Sequence, residues 1–505
     1  MEKRTIIAVV LSLLVLILFQ IFYSPDNITP TKDTINNKTN KNNTNAYEPE
    51  TKKIARPTKT YEIKQADLLH INNKHLRLAI NKETGFINSI EIFSYKDKLV
   101  EPVVFKSKYK DYISHNNFGT PSIENITKAK NITSIDLIYK NSNILIKRTY
   151  SIKNNDFIIK VEDSIINNSN ITKKLDYNIN VGPGLGEGFD ESKFIFSGLI
   201  AYNGKKLFKE KEDDIEDNIE ITNPLWFGFT SKYFLLSIID GTYNKAVMDK
   251  YKDSAILEAK KIIDINPNSQ KNIKYKIYVG PKEYNLLKSL GLNLEKSVDF
   301  GIFFFLAIPF LQVLIYFNNI FNNYGVAIIL LTLILKLLTL PLNSMSMKSM
   351  KKMQKVQPEI TKVRNKYKGD PQKMNAAVME LYRKHKVNPM SSCLPLLIQI
   401  PIFIALYRML LVSIELKNSP FIWWITDLSQ KDPLYITPIL MGLSMFAQQK
   451  MTPSTADPTQ QKIFMLMPII FTFLFINFPS GLVIYWLVNN ILTIIHQMYL
   501  NKKLE

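Results

Sequence analysis

Cysteine and histidine are scarce in this 505-residue chain. Cys393 is the only cysteine, so an internal disulfide is excluded, and its place at the start of an apolar span indicates a small core residue rather than a reactive thiol. Of the five histidines, His70, His75 and His115 fall in one region, but their spacing matches no metal or catalytic site. We predict that they are ordinary surface or core residues.

Catalytic sequence motifs are also missing. The chain has no Walker A motif, no HExxH and no serine-histidine-aspartate constellation, so neither an ATPase nor an intramembrane protease is predicted. The glycine-rich run at 182–188 lacks the Lys-Ser/Thr and the following helix of a phosphate loop, which favours a flexible connection between strands. We therefore expect a protein that is not an enzyme and needs no cofactor.

Acidic residues are outnumbered by basic ones, 44 against 64, which gives a net charge of +20. Such a charge suits nucleic acid or an anionic membrane surface. Because apolar residues make up 46% of the chain and occur in long uninterrupted runs, the membrane is the better interpretation.

The first 60 residues divide into an apolar run and a polar segment. Lys3 and Arg4 precede an apolar run at 6–22 that is longer than the core of a cleaved signal peptide. We predict that residues 1–23 form a signal-anchor helix with a cytoplasmic N-terminus. Residues 24–60 are rich in Asn, Lys, Thr and Pro and are predicted to be a disordered linker.

Residues 61–285 have the two-residue period of β-strands. Leu76, Leu78 and Ile80 alternate with polar residues, a Thr-Gly turn follows, and Ile90 and Ile92 resume the pattern. Repeated short strands of this kind predict a large β-sandwich. Because the region follows the first span, we expect it outside the cytoplasm.

Residues 324–342 are an apolar stretch of membrane-crossing length with Lys336 inside it. A lysine at mid-bilayer costs about 2.5–3.5 kcal/mol. The side chain either extends to the headgroups or lies in a hydrated functional cavity, and the second interpretation is favoured.

Residues 343–392 are the most basic segment, with twelve Lys and Arg against three acidic residues. Positive loops stay in the cytoplasm, so the apolar region 286–320 is predicted to lie along the outer interface as an amphipathic helix rather than to cross. Apolar residues recur every three or four positions on both sides of Gly369-Asp370-Pro371, which predicts a helical hairpin. The hairpin is either a solvated loop or a docking element for anionic headgroups, ribosomal RNA or an acidic protein. Its candidate partner-binding residues are Lys366, Lys368, Lys373, Arg383 and Lys384.

Four further apolar spans predict transmembrane helices 3–6 within 393–498, followed by a cytoplasmic tail at 499–505. Trp423 and Trp424 fall in an outer loop where an aromatic belt is expected. The spans and their ends also contain polar residues, which either form interhelical hydrogen bonds or join Lys336 in a water-filled cavity on the cytoplasmic side. These are Gln399, Tyr407, Arg408, Gln448, Gln449, Asn489, Asn490 and Thr493.

Several short motifs resemble one known family. They are VNPM at 387–390, CLPLLIQIPIF at 393–403, DPLY at 432–435, QKMTP at 449–453 and NFPSGL at 477–482. Together they closely resemble the YidC family of membrane protein insertases, over about residues 299–500. The preceding β-region with its leading anchor resembles the periplasmic β-supersandwich of the Gram-negative members.

This resemblance implies a multi-domain protein of the inner membrane, with a helical insertase core, a hydrophilic groove and no catalytic reaction. The groove charge, usually arginine in the family, would be Lys336, which keeps the sign but loses the planar fork. The groove and substrate-contacting positions by resemblance or by position are Thr332, Lys336, Gln399, Ile400, Phe403, Met441 and Trp486. The implied partners are nascent membrane proteins, Sec translocon components, the ribosome and anionic lipids, with no specific nucleic-acid sequence.

Two other function classes stay open at this point. A small-solute transporter would also explain an intramembrane cation, but the paired repeats with interrupted helices that are common in such folds are not evident. A sugar-binding surface anchor would rest on the β-region alone. Removing residues 61–280 separates the last class from an insertase, which should keep substantial activity.

Overall fold

The computed structural model describes residues 67–504, except 97–98, 100, 116–117, 142, 190–194, 368, 388–393 and 452–457. The predicted signal-anchor, the linker and Cys393 lie outside the described residues. A β domain comes first along the chain, and the helices follow it.

The β domain begins at Leu68 and ends at Pro281, close to the predicted limits. Its described strands are β1 (Leu68–Asn72), β2 (Leu76–Asn81), β3 (Ile87–Ile92), β4 (Val103–Lys106), β5 (Ile113–His115), β6 (Ser122–Ala129), β7 (Ile132–Asn141), β8 (Ile144–Lys153), β9 (Ile158–Asn167), β10 (Lys173–Val181), β11 (Gly198–Tyr202), β12 (Leu207–Glu210), β13 (Ile219–Thr222), β14 (Trp226–Thr230), β15 (Phe234–Ile239), β16 (Lys245–Tyr251), β17 (Ser254–Ile265) and β18 (Ser269–Pro281). They form two antiparallel nine-stranded sheets within the described part of the chain. The predicted β-sandwich is confirmed.

Side-chain alternation explains why these residues form strands that are buried on one face. In β9 the apolar residues Ile159, Val161 and Ile165 are fully buried, while Lys160, Glu162 and Ser164 on the other face are more exposed. The first sheet runs β1-β2-β3-β5-β10-β17-β16-β13, with β4 on β3, and the second runs β12-β11-β14-β15-β18-β9-β8-β7-β6. The glycine-rich run at 182–188 follows β10 as a connection, as predicted.

Polar side chains tie the two sheets together inside the core. Arg148 donates two hydrogen bonds to Asp163, at 2.7 and 2.5 Å, and neither side chain is exposed. Tyr177 of the opposite sheet donates to the same carboxylate at 2.6 Å. His115 lies 2.8 Å from the Tyr275 hydroxyl across the sheets, and burial together with the Arg148 charge holds the histidine pKa well below its usual value. His115 is therefore a core residue.

The described helices are α1 (Tyr284–Leu290), α2 (Phe304–Phe321), α3 (Tyr324–Lys366), α4 (Pro371–Lys384), α5 (Leu394–Val412), α6 (Ile436–Met451), α7 (Pro458–Phe475) and α8 (Ser480–Leu504). By length and composition α2, α3 and α8 could each cross a membrane, and α5 and α7 contain shorter apolar stretches. The interfacial placement of α2 stays a prediction, since this helix is itself 18 residues long and apolar.

Two helices are longer than predicted. The predicted transmembrane helix 2 and the first hairpin helix form one 43-residue helix, α3, which continues through Pro341 and Pro358. Close to Pro341, the Thr339 hydroxyl is satisfied within the helix by donating to the Leu335 carbonyl at 2.9 Å. Helix α8 includes most of the predicted tail, because no Gly or Pro interrupts residues 499–504.

The helical hairpin forms as the period indicated. Asp370 caps α4 by accepting from the Lys373 backbone N–H at 3.1 Å. Val356 and Ile360 of α3 are buried in a small cluster with Val387, beside a hydrogen bond of 3.1 Å between the His385 ring nitrogen Nε2 and the Glu359 carboxylate.

Candidate functional site in the helical core

Lys336 occupies the middle of the apolar part of α3 and is 8% exposed. Its ammonium donates a hydrogen bond of 2.6 Å to the Thr493 hydroxyl on α8. The Thr493 hydroxyl in turn donates to the Asn489 carbonyl at 2.6 Å, so its oxygen is oriented to accept from the lysine. In the described part of the chain no carboxylate pairs with Lys336. The cation is thus held by a neutral acceptor.

Polar contacts continue from Lys336 toward the hairpin along the interface of α3 and α8, here called the α3–α8 seam. Ser344 of α3 lies 3.0 Å from the His496 ring nitrogen Nε2. Further along, Lys351 donates to the Asn501 carbonyl at 3.3 Å. The sequence reasoning missed Ser344 and His496, although His496 follows Thr493 by three residues and so shares its helix face.

Thr332 and Gln399 are both used in contacts within the protein. Thr332 is one turn before Lys336, is 1% exposed, and donates to the Ile328 carbonyl at 2.7 Å. Gln399 donates from Nε2 to the Tyr485 hydroxyl, which links α5 to α8. The interhelical hydrogen bond that the sequence left open for Gln399 is therefore present.

The apolar candidates divide between an aromatic cluster and isolated positions. Phe403 of α5 packs edge-to-face on Trp486 of α8, with ring centroids 5.1 Å apart, and Phe475 of α7 contacts both rings. Ile400 is 37% exposed and faces outward. Met441 is fully buried, so a client could reach it only after α6 has moved. Contact of these residues with a substrate stays a prediction.

Arg408 does not join Lys336. Its side chain lies close to Gly301, at the end of α5 that adjoins the β domain. If Gly301 had a Cβ atom, that atom would be 3.5 Å from Cγ and Nε of Arg408. There Asp299 pairs with Lys209 at 2.9 Å and accepts from the Gly301 backbone N–H. Burial raises the pKa of Asp299, but the Lys209 charge and these hydrogen bonds outweigh it, so the pKa lies below its usual value. Of the two interpretations that the sequence left open for Arg408, the structure does not support a cavity shared with Lys336.

The basic candidates of the hairpin lie at both ends of α4: Lys366 and Lys373 flank the turn at the tip, whereas Arg383 and Lys384 end α4, about 15 Å along the helix from Lys373. Lys366, Lys373, Arg383 and Lys384 are exposed, and Lys373 pairs with Asp370 at 3.1 Å. The fifth candidate, Lys368, lies outside the described residues. No group of three metal-binding side chains occurs among the residues that the structure describes.

Two family models match consecutive parts of this chain. The model described as YidC periplasmic domain matches residues 68–313, and the model described as 60Kd inner membrane protein matches residues 316–505. The chain belongs to the YidC family. In this YidC-family chain the boundary between the two matches, at residues 313–316, falls inside α2.

Curated relatives carry the same family name. A membrane protein insertase YidC from Geobacter sulfurreducens is 45% identical over 322 residues, which is 62% of this chain and 60% of the relative. The corresponding protein of Geobacter metallireducens is 48% identical over 320 residues, with the same coverage. The alignment thus spans about three fifths of the length of these relatives.

Solved YidC structures are similar along most of the chain. An active YidC insertase structure with its first transmembrane domain resolved covers 98% of this chain and 99% of its own, at 18% identity and a TM-score of 0.39. YidC from Thermotoga maritima covers 86% of this chain and 98% of its own, at 14% identity and a TM-score of 0.32.

Proposed function

We propose that this chain is a membrane protein insertase and chaperone of the bacterial inner membrane. The observation that carries the proposal is Lys336, a nearly buried cation in an apolar helix whose described partner is the neutral Thr493 hydroxyl. A lysine near the middle of a bilayer costs about 2.5–3.5 kcal/mol when no other group or water stabilises its charge. We therefore infer that Lys336 either has a function or lies in hydrated surroundings. Family membership supports the activity.

In the proposed mechanism the α3–α8 seam receives the short polar tail of a nascent membrane protein. Water and the seam's hydroxyls replace part of the tail's hydration, and the Lys336 charge attracts acidic residues in the tail. The apolar segment of the client meanwhile moves along exposed apolar side chains, such as Leu443 of α6 and Phe473 of α7, which are 61% and 70% exposed. Nothing is hydrolysed, because the hydrophobic transfer of the client segment drives the step.

The basic hairpin is proposed to bind the ribosome or anionic headgroups on the cytoplasmic side, and the protein is proposed to act alone or beside the Sec translocon. Support comes from the exposure of Lys373 near the hairpin turn and of Arg383 and Lys384 at the other end of α4. This arrangement requires the β domain in the periplasm and the N-terminus in the cytoplasm.

The decisive experiment compares Lys336→Ala and Lys336→Arg in proteoliposomes with two reporters, one with an acidic tail and one with a neutral tail. Alanine should reduce insertion of the acidic reporter roughly tenfold, on the basis of one lost charge interaction of about 1.4 kcal/mol, while arginine should preserve it. Lys348→Ala on the exposed face of the same helix is the matched control and should insert both reporters normally. Equal insertion by all variants would show that the charge has no role.

A further inference from the structure

A cavity of about 150 Å³ lies inside the β domain, at one end of the sandwich. It is formed by the end of β17, the beginning of β18, one residue of β10 and the loop between β15 and β16. Its lining includes Tyr177, Tyr243, Lys261 and Lys271. This cavity has no part in the proposed insertion mechanism.

Lys261 is on the core face of its strand, where an apolar residue is expected. Its neighbours on the same face of β17, Ala259 and Ile263, are 0% and 1% exposed, while the intervening Ile262 is 58% exposed. Lys271 shares a face of β18 with the buried Ile273 in the same way. Lys271 is itself exposed, however, so the cavity is lined by one half-buried lysine from the first sheet and one exposed lysine from the second.

Neither lysine is neutralised inside the cavity. Lys261 donates to the Thr242 hydroxyl, and Lys271 donates to the Asp264 backbone carbonyl at 3.3 Å. No Asp or Glu lines the cavity among the described residues. Burial lowers the pKa of Lys261, and the charge of Lys271 lowers it further. The electrostatic potential in the cavity is thus positive, because the two lysines donate only to a hydroxyl and a backbone carbonyl, which carry no negative charge.

Two tyrosines close the inner wall of the cavity. Tyr243 is 5% exposed, and its hydroxyl is fully buried in the core rather than open to the cavity. Its neighbour Tyr177 also turns its hydroxyl into the core, where it donates to Asp163 at 2.6 Å. The two lysines are therefore the groups that can bind an anion in this cavity.

We propose that this cavity binds a small dissolved oxyanion of the size of inorganic phosphate, held between Lys261 and Lys271. The space accommodates several waters, and therefore a tetrahedral oxyanion. A lipid headgroup is disfavoured by position. Lys271 precedes Pro281, where β18 ends next to the helices, by ten residues, which at 3.3 Å per residue places it about 33 Å away.

The test uses the full chain in neutral-lipid nanodiscs and measures thermal unfolding with increasing inorganic phosphate, against chloride at equal ionic strength. Phosphate should raise the Tm of the wild type and of Lys260→Gln. Lys260 is the matched control, since it is adjacent on the same strand but faces outward and is 54% exposed. Lys261→Gln should weaken the apparent phosphate affinity at least tenfold, the scale of a lost hydrogen bond to a charged group.

Folding of the variant is checked without anion. Because Lys261→Gln removes a repulsion from Lys271, its Tm without phosphate should equal or exceed that of the wild type. Tyr243→Phe keeps the ring and removes only a hydroxyl that is closed off from the cavity, so it should leave phosphate binding unchanged. The proposal is overturned if phosphate does not stabilise the wild type beyond chloride, or if Lys260→Gln loses as much affinity as Lys261→Gln. Stabilisation by anionic nanodisc lipids in place of phosphate would equally overturn it.

Discussion

Replacing Thr493 by valine tests how the buried ammonium of Lys336 is held. Valine has nearly the shape of threonine but cannot accept the 2.6 Å hydrogen bond from Nζ. Hydrogen bonds to charged groups contribute about 1.5–3 kcal/mol, which is a large part of the roughly 2.5–3.5 kcal/mol that a lysine costs at mid-bilayer. Thr493→Val should therefore disfavour the protonated lysine about tenfold or more and reduce insertion of an acidic-tail reporter accordingly.

The assay is a double-mutant cycle on reporter insertion, with protease protection as the measurement. If Thr493 acts by holding the ammonium, Thr493→Val should have little further effect once Lys336→Ala is present. Thr493→Ser retains the hydroxyl and should restore most of the activity. Thr472→Val on α7 is the matched control, because it removes a threonine hydroxyl that donates only to the Pro468 carbonyl, at 2.7 Å.

Additive losses in the double variant would refute the reasoning, since they would mean that Thr493 and Lys336 act independently. A loss in Thr472→Val as large as that in Thr493→Val would also refute it. That result would assign the effect to helix packing rather than to the ammonium.

Three other predictions concern the rest of the molecule. Arg148→Met leaves the Asp163 carboxylate buried without its cation and should cost about 3–5 kcal/mol in urea unfolding, whereas Lys147→Met removes only exposed ion pairs and should cost less than about 1 kcal/mol. Burial and the nearby Lys209 charge lower the pKa of Lys282 from 10.5 to about 7. Between these pH values the lysine is protonated in the unfolded chain and mostly neutral in the folded one, so the free energy of unfolding rises with pH. Lys282→Met should flatten the Tm profile between pH 7 and 10, and an unchanged slope would contradict this. Single cysteines placed along 343–392 should be labelled from the cytoplasmic side, and external labelling would reverse the topology.

Local sequence patterns predicted the architecture well, because each depends on nearby residues. The alternation at Leu76, Leu78 and Ile80 became β2 with its apolar side chains buried. The Gly-Asp-Pro break at 369–371 separated α3 from α4, since proline suits the first turn of a helix and Asp370 caps it. The lengths of the apolar stretches predicted approximately where the helices begin and end.

Contacts between distant residues could not be predicted in this way. Thr493 is 157 positions from Lys336 in the sequence. A polar residue in an apolar span does not by itself indicate which other helix its side chain contacts. The same limit left the place of Arg408 open, because its position beside Gly301 depends on how α5 packs against the β domain. Lys261 was missed because one inward polar residue in an alternating strand resembles an ordinary surface residue until its neighbours' burial is known.

The continuity of α3 connects Lys336 to the hairpin. Lys336 and Ile360 lie on one helix about 36 Å apart at 1.5 Å per residue, so a rigid helix would transmit every hairpin movement to the seam. Proline removes a backbone N–H and clashes with the preceding turn, so a helix bends most readily there. Pro341 lies between Lys336 and the hairpin, and Pro358 lies within the hairpin. A partner that tilts the hairpin can therefore bend α3 at these positions while the Lys336–Thr493 contact stays in place.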